Sequence, residues 1–139
     1  MTALPPADTA FGQRVRQRLQ DERIVWLTTV GSSGAPQPNP VWFLWPGDDS
    51  MVVWNKLGAR RLDNIEVRPK VALNFNGQTG DIVILSGTAR RVDRELASEN
   101  ADYLLKYSEA MARVSGSVEQ MGRDYPVALE IAITRVRGR

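Results

Sequence analysis

The stretch from residue 24 to residue 55 reads IVWLTTVGSSGAPQPNPVWFLWPGDDSMVVWN. The β-branched and aromatic residues of 24–30 are typical of a strand, and the Gly-Ser-Ser-Gly sequence that follows is typical of a turn. The same reasoning predicts strands over 41–45 and 51–55, separated by a Pro-Gly-Asp-Asp turn. Strands joined by such short connections pair antiparallel.

Three prolines alternate with other residues just before the second strand, at positions 36, 38 and 40. Because proline has no N–H to donate to a sheet, this segment is expected at a sheet edge or in a bulge. Beyond it, strand alternation sends Trp42 to one side and Phe43 and Trp45 to the other. One set can fill a barrel while the other flanks a planar ligand; the alternative is core plus dimer interface.

The rest of the chain adds three strands, predicted over 71–75, 82–92 and 126–136. Gly87 lies inside the long one and predicts a bend or bulge there. Six strands at short spacing, with few helices between them, favour a mainly β (α+β) fold. We expect a six-stranded antiparallel barrel with a few flanking helices.

Helical spacing predicts three helices, over 8–23, 58–67 and 93–107. Asp8 and Asp93 are the expected N-caps of the first and third. In the second, Leu57, Leu62 and Ile65 are expected to face inward, and the following proline ends the helix. Residues 108–124 fit a short helix with loops.

Length and composition are those of one ordinary domain, 1–139, whose residues 1–7 are expected to form a loose leader. A net charge of +2 is too small to indicate nucleic acid. The sequence has neither a signal peptide pattern nor an apolar run long enough for a membrane span. We therefore expect a cytoplasmic protein, with which the lack of cysteine is compatible.

The chain contains no cysteine and no histidine. This composition excludes Ser-His-Asp and Cys-His nucleophilic systems. It also excludes zinc sites built on Cys or His and the usual His and Cys ligands of haem, leaving Met or Tyr. No metal site is expected. A bound organic cofactor is the chemistry that this composition leaves most open.

A basic stretch runs from Lys56 to Arg61, where a predicted strand ends, a glycine turns and a helix begins with two arginines. The N–H groups at a helix start and the positive charges of Arg60 and Arg61 together favour a phosphate or carboxylate. Lys56 can converge on the same anion. The alternative is an ordinary solvated basic turn. Glycine-rich phosphate loops are absent from the sequence.

The carboxylates offer no acid–base pair. Asp48 and Asp49 fall in a turn, and Asp93 and Glu95 fall at a predicted helix start, where such residues have structural roles. No catalytic residue is therefore assigned.

Four runs of sequence carry a resemblance to a known family. They are residues 34–43 (GAPQPNPVWF), 55–61 (NKLGARR), 68–73 (RPKVAL) and 86–89 (SGTA). In this order and spacing they resemble the pyridoxamine-phosphate-oxidase-like split β-barrel superfamily. The resemblance covers roughly residues 23–93, about half of the chain.

The resemblance implies a flavin or deazaflavin in a groove at a homodimer interface. Arg60 and Arg61 match the Arg-Lys pair that holds the cofactor phosphate in the oxidases. Ala59 replaces the usual serine before that pair, and Ile82 stands near the position of a flavin-binding glutamine. The oxidases' C-terminal Arg-Leu-His-Asp-Arg signature is also absent. These departures argue against oxidation of pyridoxamine phosphate.

The short chain and the Pro-Val-Trp-Phe strand resemble the deazaflavin-dependent branch, which uses coenzyme F420. The phosphate and polyglutamate tail of F420 suit a basic site. By resemblance, the cofactor ring would lie against the strand that carries Gln37, Asn39 and Val41, with Trp54 and Asn55 nearby.

The resulting expectation is a homodimeric F420-dependent oxidoreductase that moves a hydride between reduced F420 and a small organic substrate. Two alternatives remain open: an FMN-binding oxidoreductase of the same fold, and a non-catalytic carrier of the cofactor. The substrate and the proton donor are not identified at this level.

Overall fold

The computed structural model describes residues 2–139, Thr79 by its backbone alone. In chain order its main elements are α1 (Ala10–Asp21), β1 (Val25–Val30), β2 (Pro36–Val41), β3 (Ser50–Asn55), α2 (Arg60–Val67), β4 (Lys70–Asn74), β5 (Val83–Val92), α3 (Ala101–Ser115), α4 (Val118–Asp124) and β6 (Val127–Gly138). Short 3₁₀ helices occupy Gln78–Gly80 and Ala97–Glu99. No helix within this part of the chain combines the length and apolarity that a bilayer crossing requires.

The strands form one sheet in the order β2-β1-β4-β5-β6-β3, and every pairing is antiparallel. The sheet curls, because Val41 near one edge and Met51 near the other pack into the same core. The predicted mainly β antiparallel barrel with flanking helices is therefore confirmed as a split, half-open barrel.

Strand β2 consists of the proline-rich segment itself. It pairs only with β1, so it lies at an edge of the sheet, as the missing N–H groups of its prolines require. The prediction of a strand over 41–45 is wrong in its bounds: after Val41 only Leu44 bridges, to Val52. The predicted alternation is nevertheless observed, since Phe43 and Trp45 pack with the main core and Trp42 on the opposite side.

The main core fills the concave side of the sheet. Leu27, Leu73 and Leu85 from three neighbouring strands are at most 1% exposed. Burial of one such side chain stabilises the fold by about 1.5–3 kcal/mol. Helix α2 adds two further buried side chains, Leu62 and Ile65, as predicted. Leu57 does not join them: it is 72% exposed, because it lies in the turn before the helix.

Strand β5 shifts register between Ser86 and Gly87, which confirms the predicted bulge. A Cβ atom at position 87 would lie 2.8 Å from the carbonyl oxygen of Ala132 and 2.8 Å from Cγ2 of Ile131. Glycine is therefore required where β6 approaches the bend.

A second apolar cluster covers the other side of β3. Val52 and Trp54 contribute from the strand, and Tyr103, Tyr107 and Met111 contribute from one face of α3. The predicted Asp93 cap is wrong, because α3 begins later with Asn100 as its N-cap. This helix extends to Ser115 and is followed by α4, so residues 108–124 are helical over most of their length.

Met1 of the expected loose leader lies outside the described residues, whereas Ala3 and Leu4 of that leader pack on the barrel. Leu4 is 5% exposed within the main core, and the backbone N–H of Ala3 donates to Asp49 at 2.9 Å. Thr9, rather than the predicted Asp8, caps α1, because its hydroxyl accepts from the backbone N–H of Gly12 at 2.9 Å.

Candidate functional site

The basic stretch connects the end of β3 to the start of α2. Ala59 is the N-cap of the helix and offers no side-chain acceptor to its first N–H groups. Arg60 and Arg61 follow as the first two helical residues, about 100° apart around the axis. As a result Arg60 is exposed, whereas Arg61 turns inward and is partly buried.

Asn55 holds the guanidinium of Arg61 in place. Arg61 Nε donates to Asn55 Oδ1 at 2.5 Å. The amide nitrogen of Asn55 donates in turn to the carbonyl oxygens of Val53 and Val127, at 2.9 and 3.0 Å. Asn55 is fully buried between two strands, so it orients Arg61 rigidly and leaves the terminal nitrogens of that guanidinium available.

The charge of Arg61 has no carboxylate partner among residues 2–139, where the ion pairs join other residues. Burial lowers the pKa of its guanidinium below the ordinary range, an effect that the Tyr125 hydroxyl opposes. An arginine nonetheless remains charged at any physiological pH. A partly buried and unpaired cation is stabilised by an incoming anion, and the geometry here favours a phosphate or a carboxylate.

Lys56 lies beside the same site. Its Nζ atom is 5.4 Å from the centre of the Tyr125 ring, and the side chain is exposed. A cation–π contact at this distance is weak in water, about 0.5–1 kcal/mol. Lys56 can therefore leave the ring and add its charge to an anion near Arg61.

The three β2 residues expected near a cofactor ring lie in different surroundings. The side chain of Gln37 accepts from Asn64 of α2 at 3.0 Å, and the same Asn64 amide donates to Thr29 at 3.1 Å. Asn39 is exposed, and Val41 is buried. This face of the edge strand is thus open in its middle and anchored to α2 at one end.

A cavity of about 230 Å³ lies against Arg61. Its lining residues are Pro40, Val41, Trp42, Trp54, Arg61, Ala97, Tyr103, Val114, Met121 and Tyr125. The walls are mainly apolar and aromatic, with one cation at the edge. The volume suits a one- or two-ring molecule, since a 150 Å³ apolar cavity already takes benzene.

Of the sequence-predicted site residues, the structure brings Val41, Trp54 and Arg61 to this cavity. Asn55 and Lys56 do not line the cavity but contact residues that do: Asn55 is hydrogen-bonded to Arg61, and Lys56 lies near the Tyr125 ring. Gln37 and Asn39 lie farther along β2, and Arg60 faces solvent.

Sequence reasoning missed the wall formed by Tyr103, Met121 and Tyr125. The spacing of Tyr103, Tyr107 and Met111 does mark one face of a helix. No local signal shows that this face covers Trp54, from which the Tyr103 ring centre is 4.7 Å away.

Trp54 is fixed from two directions. Its indole N–H donates to the carbonyl oxygen of Glu95 at 3.1 Å, and the Arg94 guanidinium lies 5.4 Å from its ring centre. Hydrogen bonding from Arg94 lowers the pKa of the Glu95 carboxyl to about 2, with a smaller contribution from Asn100. The segment before α3 is thereby tied to the floor of the cavity.

A larger cavity of about 440 Å³ lies elsewhere, between the end of α1, residues 44–47 and α3. None of the sequence-predicted site residues lines it. Lys106 borders this space, 3.8 Å from the centre of the Phe43 ring, and burial lowers the pKa of its ammonium group to about 8. This cavity is lined by acidic and basic side chains together, so it shows no preference for an anionic or a cationic ligand.

Fold and site together define a split-barrel protein with an oriented, unpaired arginine beside an aromatic cavity. The chain belongs to the pyridoxamine 5'-phosphate oxidase family, whose model matches residues 11–139. No curated protein matches it in sequence.

Solved structures with the same fold have diverse descriptions. An F420 reductase is 21% identical and superposes with a TM-score of 0.66, covering 89% of this chain and 96% of its own. General stress protein 26 of Bacillus anthracis is 19% identical, with a TM-score of 0.66 and 89% of each chain covered. The haem storage protein HutZ of Vibrio cholerae is 15% identical, with a TM-score of 0.58 over 94% of this chain and 92% of its own. These similarities establish the fold.

Proposed function

We propose that this chain is an F420-dependent oxidoreductase that transfers a hydride between the reduced deazaflavin and a small organic substrate. The observation that carries the proposal is the Arg61 guanidinium, oriented by buried Asn55 and without a carboxylate partner among the described residues. Such a cation is suited to the phosphate of an anionic cofactor. The fold shared with an F420 reductase supports this choice of cofactor.

The residues of the site have separable roles in this proposal. Arg61 binds the phosphate, with Lys56 and the more exposed Arg60 adding positive charge around it. The cavity of about 230 Å³ is too small for a whole deazaflavin with its tail, so the ring lies along β2 at exposed Asn39, next to the cavity that Val41 lines. When bound, F420 supplies the hydride chemistry, while the protein binds, orients and excludes water.

FMN is the second candidate cofactor, because the matching family is that of pyridoxamine 5'-phosphate oxidase and Arg61 suits the phosphate of FMN equally well. In either case we propose a homodimer. Trp26 on the convex face of the sheet is 41% exposed and Ile24, just before β1, is 42% exposed, and this apolar surface supports a second copy there. The proposed location is the cytoplasm, which suits a chain without cysteine.

Titration of the purified protein with F420 and, separately, with FMN tests the proposal. We expect F420 to bind more tightly. Arg61→Ala should weaken F420 binding by about 10- to 150-fold, because a hydrogen bond to a charged group contributes about 1.5–3 kcal/mol. Arg60→Ala should weaken it less, since water screens an exposed charge. Measured turnover with an electron-poor acceptor then separates an enzyme from a carrier.

Arg23→Ala is the matched control, because it removes one positive charge at an exposed residue beside the other cavity. Its affinity for F420 should equal that of the wild type. Equal binding by Arg61→Ala and Arg23→Ala would contradict the site assignment. Preference of the wild type for FMN would contradict the choice of F420 and favour the second candidate.

A further inference from the structure

Tyr103 carries a hydroxyl group that the fold does not use. The residue is 2% exposed, and its ring packs against Trp54 and Tyr107 with ring centres 4.7 Å away in each case. Among residues 2–139 its hydroxyl makes no side-chain hydrogen bond, although every fully buried side-chain nitrogen or oxygen there has a partner. The Tyr103 hydroxyl is therefore not fully buried and accounts for part of the small exposed area of the residue. Tyr103 also lines the 230 Å³ cavity.

Tyr107, one helical turn later, shows the usual alternative. Its hydroxyl donates to the carbonyl oxygen of Arg23 at 2.7 Å and accepts from the backbone N–H of Phe43 at 3.1 Å. The two tyrosines thus share a helix face and an apolar cluster, but only one of them has hydroxyl partners in the fold. A hydroxyl that stays accessible and has no partner in the fold can donate to a ligand in the cavity.

We propose that this cavity binds a neutral, flat, one- or two-ring compound whose acceptor oxygen takes a hydrogen bond from Tyr103. The inference rests on the proposed function in taking this compound to be the substrate. Trp42, Trp54 and Tyr125 supply the aromatic walls that fit a flat ring. Tyr103 is then a specificity-determining residue that selects for the oxygen.

The preference for a neutral ligand follows from the charges at the site. Burial, with Tyr107 and Tyr125 near by, raises the pKa of the Tyr103 hydroxyl above its ordinary range, so it remains a donor. The one cation among the cavity residues is Arg61, which the proposed function assigns to the cofactor phosphate. With that charge neutralised, a charged ligand would lose its hydration without compensation.

A pair of probes tests the inference on the protein without cofactor: 1-indanone, a flat ketone, and indane, the same rings without the oxygen. Indole N–H resonances of Trp42 and Trp54, recorded by NMR, should shift with indanone, while those of Trp26 and Trp45, which lie outside the cavity lining, stay in place. Tyr103→Phe should weaken indanone binding by about threefold to tenfold, the worth of one hydrogen bond, and leave indane binding unchanged.

Tyr107→Phe is the matched control. It removes the hydrogen bonds of the Tyr107 hydroxyl with the backbone of Arg23 and Phe43 and should lower the urea midpoint of unfolding, yet leave indanone affinity unchanged. Tyr103→Phe should leave the urea midpoint unchanged and weaken the binding of indanone. Equal affinity of indanone for the wild type and Tyr103→Phe would overturn the role of Tyr103. With the Arg61 charge neutralised by saturating F420 or inorganic phosphate, tighter binding of indane-2-carboxylate than of indanone would overturn the preference for a neutral ligand.

This result is separable from the cofactor assignment. Loss of indanone selectivity in Tyr103→Phe, with no binding of F420 or FMN by the wild type, would support the cavity and contradict the proposed function. Arg61-dependent F420 binding without any indanone shift at Trp42 or Trp54 would support the proposed function and contradict the inference about the cavity.

Discussion

Asn55→Ala is expected to loosen the Arg61 guanidinium while leaving its charge in place. The substitution removes three hydrogen bonds: from the Asn55 amide to the carbonyls of Val53 and Val127, and from Arg61 Nε. Two neutral bonds at about 1 kcal/mol each and one to a charged group at about 1.5 kcal/mol lower the free energy of unfolding by about 3–4 kcal/mol. A domain with a typical stability of about 5–15 kcal/mol stays folded after this loss.

The effect on the anion site should be smaller than that of removing the arginine. In Asn55→Ala the side chain of Arg61 must be immobilised when the cofactor binds, which costs about 0.5–1.5 kcal/mol. Cofactor affinity should therefore fall by about 2- to 12-fold. Urea unfolding followed by tryptophan fluorescence gives the stability change, and titration under native conditions gives the affinity.

Asn74→Ala is the control, because Asn74 is an exposed strand residue with one weak hydrogen bond, to the carbonyl oxygen of Phe75 at 3.3 Å. Its stability should change by less than about 0.5 kcal/mol. Equal stabilities of the two variants would refute the role of Asn55 in the fold. A loss of affinity in Asn55→Ala as large as in Arg61→Ala would refute the separation of orientation from charge.

Two further predictions concern the rest of the molecule. Burial lowers the pKa of Lys106 from 10.5 to about 8, so between these values the unfolded chain binds a proton that the folded chain lacks, and stability rises with pH. Lys106→Met should therefore stabilise the protein by about 1 kcal/mol at pH 7, a value already reduced for the solvent and the Phe43 ring around the ammonium group. The gain in stability should vanish toward about pH 10.5. An equal gain at all pH values, measured by urea unfolding, would show another cause. If the convex sheet face forms the proposed dimer, Trp26→Glu should give a 15.5 kDa particle in sedimentation equilibrium, whereas Leu105→Glu, at an 88% exposed position on α3, should leave the dimer intact. A monomeric wild type would contradict that proposal.

The strands were predictable because their signals are local. Proline lacks an N–H wherever it stands, so the segment 36–40 was expected at an edge or in a bulge, and it lies at an edge. Gly87 marked a bend because only a residue without Cβ admits the close approach of Ala132. Boundaries were less predictable: Asp8 and Asp93 are both competent caps, yet Thr9 and Asn100 hold those positions. Several capping residues in a row compete, and packing of the helix decides among them.

The composition of the candidate site was predictable to a similar extent. Two adjacent arginines at a helix start indicate an anion site, but their sequence does not show which one turns inward. Arg61 does so because the end of β3 places Asn55 within hydrogen-bond distance of it. The cavity wall to which Tyr103 belongs could not be predicted from the sequence, since Tyr103 and Trp54 are in contact but lie 49 residues apart in the chain.

The amino-acid sequence by itself therefore determined that there are six antiparallel strands, that the prolines lie at an edge or in a bulge, and that the chemistry uses no histidine or cysteine. These properties depend on residue type and on neighbours one or two positions away. Folding decided that Arg61 is partly buried without a carboxylate partner among residues 2–139, that Asn55 orients it, and that Tyr103 lines a cavity. Burial and hydrogen-bond partners are set by contacts between distant segments, which only the curled sheet and the helices packed on it bring together.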